Sequence, residues 1–283
     1  MYKQLTGNRR AFSLLFALSI LLVAGCDANG ADGQTDPSSV FVKRVEVFGI
    51  LVQATAGVPD EKALHAASVM AQYLDNDEDG TPDNQQVVDA LVSRRATLVM
   101  FRDENELESL MNQLENTTPI DAAQDLQANE TVPGGATQGV FDATLEEVLH
   151  LITHVGFANV YPDAFGESIG SELANAMDVA RGGRFETIPS RYPAEAWYTY
   201  DDQTCDYSCQ VTEYVYWALT SMLGAQDFPG RLDEINNEWR LNTREKVEAT
   251  DKAVFALLTH PAYKLPTVLP DSEYRGGILE LQK

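Results

Sequence analysis

The sequence predicts a helix-rich α+β fold: a small N-terminal αβ lobe followed by a mainly α-helical lobe. Three observations predict it. Short runs dense in β-branched residues fall early in the folded part, at 42–55 and 97–101. Longer stretches with apolar residues at helical spacing fill most of the remainder. Between them, residues 116–138 are polar and turn-rich and contain Pro133-Gly134-Gly135, which reads as a linker. The lobes are therefore expected at 39–135 and 136–283.

The elements follow in order. Val42 to Thr55 reads as a strand with a bend at Gly49. Residues 60–74 read as a helix, with Ala63, Ala66, Ala67, Met70 and Leu74 on one side. A second helix is expected from Asn84 to Arg94, then a short strand over 97–101. Asp103 reads as the N-cap of a helix to Leu114, with Glu106 at the third helical position. Helices are expected at 143–158, 168–181, 210–224, 231–240 and 243–259. From Pro266 onward, Pro270 and Gly276-Gly277 favour an extended wrap.

The chain carries 20 Lys and Arg against 43 Asp and Glu, a net charge of −23. This argues against a nucleic-acid partner, because neutralising phosphates needs a basic face. It argues equally against electrostatic adhesion to anionic headgroups. Residues 1–25 hold Lys3, Arg9 and Arg10 and then an apolar run from Phe12 to Val23, too short for a comfortable membrane span. The run ends in Val23-Ala24-Gly25-Cys26. This resembles the lipobox of bacterial lipoproteins, which implies an acylated Cys26, a lipid-bilayer anchor and a place in the bacterial cell envelope, periplasmic or surface-exposed. Residues 26–38 lack large apolar groups beyond the Cys and read as a flexible tether. In such an oxidising compartment Cys205 and Cys209 suggest a local disulfide, preferred over a thiolate metal site.

Two clusters suggest metals. Asp75-Asn76-Asp77-Glu78-Asp79-Gly80-Thr81-Pro82-Asp83 lies between two expected helices. Its carboxylates at loop positions 1, 3 and 5, Gly at 6 and Asp at 9 resemble the EF-hand calcium loop. The resemblance implies calcium on Asp75, Asp77, Asp79, the Thr81 carbonyl and Asp83. Gln86 replaces the bidentate Glu at position 12, which implies weak affinity, about 0.1–1 mM.

The second cluster is a helix reading Leu145-Glu146-Glu147-Val148-Leu149-His150-Leu151-Ile152-Thr153-His154. Glu147, His150 and His154 recur at helical spacing on one face, an N/O donor set suited to zinc. His150-Leu151-Ile152-Thr153-His154 resembles the His-Glu-x-x-His helix of the zincin metallopeptidases, with Leu151 in place of the Glu. The resemblance implies His150 and His154 as ligands, with Glu147 as third ligand or as the base, or Glu146 as that base. Gluzincins take a further Glu from a downstream helix, and Glu172 stands at similar spacing. Asp178 is then suited to hold a ligating His. Glu213 is an alternative third ligand. A Glu-x-x-His pair also resembles di-iron carboxylate bundles, although no second pair occurs.

The remaining features read as structural. The aromatics of 196–217 suit packing, although a tyrosine hydroxyl there could serve an oxyanion. Arg181-Gly182-Gly183-Arg184 suits a helix C-terminus or an anion. His65 and His260 read as structural. The expectation is thus a calcium-binding envelope lipoprotein with a zinc site and peptidase-like hydrolytic chemistry. The alternative is a non-catalytic binding or structural lipoprotein, in which calcium stiffens the fold and the His pair is structural.

Overall fold

A computed structural model describes residues 40–114 and 122–283. The expected signal segment 1–25, the lipidation expected at Cys26 and the expected tether 26–38 lie outside the described residues. The chain forms a mixed α+β fold. Strands β1 (Lys43–Val47) and β2 (Ile50–Ala54) pair antiparallel. The expected single bent strand is a hairpin. Phe48 and Gly49 both take positive φ, 51° and 86°, as a two-residue hairpin turn of matching twist requires.

Helices α1 (Asp60–Leu74) and α2 (Gln85–Ser93) cross to β3 (Ala96–Phe101), which runs parallel to β2. Helix α3 (Glu104–Leu114) leads to β4 (Ala122–Gln127), parallel to β3. Asp103 caps α3 as expected, accepting from the Glu106 N–H. The sheet order is β1-β2-β3-β4. Strand β3 is buried on both faces, which explains its unbroken apolar run. Leu98 and Met100 join the main core, while Val99 and Phe101 pack with Leu107 and Leu110 on the α3 side.

Residues 116–138, expected as a linker, thus contain β4. One buried cluster runs from Val45 to Leu265 and spans both sides of the boundary drawn at 135/136. Helix α4 (Thr144–Leu151) packs on β3, β4 and α1 and continues into a π-helical segment, Ile152–Phe157. Short helices α5 (Ala158–Val160) and α6 (Pro162–Phe165) follow, then α7 (Glu172–Ala180) and α8 (Tyr207–Leu223). The Ser171 hydroxyl caps α7, and the Asp206 carboxylate caps α8, which starts three residues before the expected position. Helix α9 (Arg231–Ile235) is shorter than expected. The stretch expected as one helix over 243–259 is two, α10 (Arg244–Thr250) and α11 (Lys252–Leu258). Asp251 separates them. Its carboxylate caps α11 and accepts from Tyr214 Oη and Trp197 Nε1.

The C-terminal segment is the expected wrap. It crosses α1 and the acidic loop and ends with Gln282 bridged to Arg44 of β1. Cys205 and Cys209 are joined as a disulfide.

The π-helical segment packs on α2 through Gly156. A Cβ there would meet Val87 Cγ1 at 2.7 Å. Gly156→Ala should therefore lower stability by about 1–3 kcal/mol, read as a lower urea midpoint with unchanged slope. An unchanged midpoint would contradict this packing.

Candidate metal centre

Helix α4 is apolar on most sides, so its polar residues are carried into the core. Glu146, Glu147 and His150 each bring one ligand atom within 4.8 Å of the others. The His150 side chain is fully buried. Glu147 Oε2 lies 3.4 Å from His150 Nδ1, and Glu213 Oε2 of α8 lies 3.6 Å from Nε2. Neither ring nitrogen has a hydrogen bond among the described residues, and Glu213 Oε1 also lacks one. Buried polar atoms are nearly always paired, so imidazole nitrogens between carboxylates and without a hydrogen bond could hold a cation.

Neighbours hold these groups in place. Gln124 of β4 donates to Glu147 Oε2 at 2.7 Å. Tyr216 of α8 stands edge-on to His150, with ring centroids 5.6 Å apart.

The electrostatics point the same way. Burial, then Glu147, pushes the Glu146 carboxyl up to about 8, against His150 and Arg231. Burial, then Glu146, Glu147 and Glu238, pushes Glu213 well up. Burial with Glu147 pushes Asp125 of β4 up to about 7, and burial with Asp201 does the same to Glu238. Burial pushes His150 down. Without a cation, the cluster is therefore stabilised by protons on its acids and a neutral imidazole. A divalent ion would replace those protons.

His154 does not join this cluster. It lies in the π-helical segment, four residues after His150, and brings no ligand atom to the group. His154 is instead 58% exposed, with Nδ1 bonded to Glu167 Oε2 at 2.6 Å. Thr212 holds the other Glu167 oxygen at 2.7 Å. Glu172 is an exposed residue at the start of α7 and lies outside the cluster. Asp178 binds no histidine; it pairs with Arg181 and Arg184, each at 2.9 Å. These pairs occupy the Arg-Gly-Gly-Arg segment at the end of α7. His65, read as structural, bonds buried Asp142 at 2.7 Å.

The structure thus brings together Glu147, His150 and Glu213 of the expected set and adds Glu146 as a group that could ligate. Glu146 was legible, lying four residues before His150. Asp125 and Glu238 carried no sequence signal.

The acidic loop is a second cluster. Asp75, Asp77 and Asp79 each bring an oxygen within 4.8 Å of the others. The buried Asp75 carboxylate accepts from the Asp79 and Gly80 N–H groups at 3.1 and 2.9 Å and from Tyr274 Oη. Asp83 accepts from the Asn76 N–H at 2.7 Å, and Thr81 donates its N–H to Asp79 at 2.8 Å. Gln86, at the twelfth position, accepts from Tyr161 Oη at 3.3 Å. The C-terminal wrap clasps the loop. Asn76 Oδ1 accepts from the N–H groups of Thr267 and Val268, and Arg275 pairs with Glu78.

Comparison with protein-family models, curated proteins and solved structures returns no match. Among the described residues no helix is long and apolar enough to cross a membrane.

Proposed function

We propose that this is a lipid-anchored metalloprotein of the bacterial envelope, with Glu146, His150 and Glu213 holding one zinc-type ion. In this reading Glu147 is the base of a peptidase-like hydrolysis. The observation that carries it is the buried His150 ring, flanked by carboxylates at 3.4 and 3.6 Å with no hydrogen bond at either nitrogen among the described residues. The resemblance to zincins fits better one turn earlier than His150–His154. In Glu146-Glu147-Val148-Leu149-His150 a carboxylate takes the place of the first His, and the acid and second His are retained. Carboxylate and imidazole are both ordinary zinc ligands. An ion so held supplies Lewis acidity and a more acidic water. Gln124 donates to Glu147 Oε2 and so holds this carboxylate beside His150.

Elemental analysis of the chain purified without chelator tests the binding half, and a peptide-hydrolysis screen of Glu147→Gln tests the chemistry. Glu147→Gln should retain metal and lose at least about 100-fold in rate. A variant that hydrolyses as fast as the parent would remove Glu147 as the base.

Calcium on Asp75, Asp77, Asp79, Thr81 and Asp83 is proposed as a separate, structural role, favoured by the wrap that clasps this loop. With affinity of about 0.1–1 mM, 10 mM calcium should add about 1.4–2.7 kcal/mol, read as a higher Tm than in chelator. Replacing the exposed Asp77 and Asp79 with Ala should abolish the increase. Equal melting in calcium and chelator would argue against the site. It would leave the non-catalytic alternative without its stabilising ion.

A further inference from the structure

The end of α8, the start of α10, the end of α11 and the first residues of the wrap enclose a cleft of about 340 Å³. That volume lies at the lower end of small-molecule sites, about 300–1,000 Å³. Its apolar lining includes Leu219, Met222, Leu223 and Leu258. Arg244, His260 and Lys264 also line it, and no acidic residue does. In a chain with 43 acidic and 20 basic side chains, this is a local reversal of charge.

The cations are disposed to meet a ligand. Arg244 is exposed, lies over the Phe255 ring at 5.2 Å and makes no ion pair among the described residues. Stacking occupies a guanidinium face and leaves its N–H edge for an anion. Lys264 donates to the Asp83 carbonyl at 2.7 Å, a bond that leaves its charge unneutralised. His260 stands at the same end of α11, where its Nδ1 accepts from the Ala262 N–H.

We propose that this cleft binds a small amphiphile with one anionic head and a short alkyl chain. The leucines and Met222 take the chain, and Arg244 with Lys264 takes the head. Free fatty carboxylates and phosphate-headed lipids share this chemistry. The site is independent of the metal centre.

Calorimetric titration of the chain with Cys26→Ser, which removes any competing acyl group, tests the proposal with decanoate, decyl phosphate and decanol. One molecule of decanoate or decyl phosphate should bind per chain, and the better anion identifies the source. Decanol should bind at least tenfold more weakly. Arg244→Gln and Lys264→Gln alter exposed side chains and should each weaken the anion at least tenfold with unchanged melting. Leu223→Trp, which fills the cleft, should abolish binding. Absence of binding by both anions, equal affinity for decanol, or undiminished binding by Arg244→Gln would overturn it.

Discussion

Stripped of metal, the protein should melt lower at pH 8 than at pH 6. Burial pushes Glu146 up to about 8, and Asp125 and Glu238 up to about 7. An acid with a raised native pKa holds a proton that the unfolded chain has already released. Over this window the native state therefore carries more protons, and stability falls as pH rises. His154, whose pKa the bond to Glu167 raises, acts in the same direction. His150 acts the other way. Its native pKa is lowered, so its cost falls mainly below its ordinary 6.5, at the acid edge of the window. At about 1.4 kcal/mol per pH step per group, and allowing for coupling among the acids, the loss is about 3 kcal/mol. For a domain of this size that is roughly 6–12 °C in Tm. Zinc should remove the loss, because it binds the deprotonated ligands. A chelated protein that melts equally or higher at pH 8 would show that these acids do not share a buried site.

His150→Ala should abolish transition-metal binding, whereas His154→Ala should leave it in place. Sequence spacing alone makes the two histidines equivalent. The structure separates them: His150 is buried beside Glu147 and Glu213, whereas His154 is exposed and paired with Glu167. Glu213→Gln should weaken metal by at least about 10–100-fold, as expected when ligands or their supports are altered. Glu172→Gln should have no effect. Elemental analysis of the four variants checks the set. Metal lost equally from His150→Ala and His154→Ala would restore the spacing-based pair.

Much of this was legible in the sequence, for identifiable reasons. Residues 60–74 were readable as α1 because small apolar residues mark one face and the acidic loop stops it. The Asp103 cap was legible because its side chain has no better use than the free N–H groups of a helix start. Strand β4 was hidden because Ala122-Ala123-Gln124-Asp125-Leu126-Gln127 lies at the sheet edge and needs few apolar residues. The π-helical segment was hidden because its altered bonding leaves no residue-type mark. The hairpin was hidden because Phe48 rather than Asn or Gly takes the first positive-φ position.

X-ray absorption spectroscopy at the zinc edge of the zinc-loaded protein tests the central claim most directly, because it counts ligands by type. The account predicts one imidazole nitrogen and otherwise oxygen at about 2.0–2.2 Å, with no sulfur. Two imidazoles in the spectrum, or no zinc retained to measure, would contradict a centre built on Glu146, His150 and Glu213.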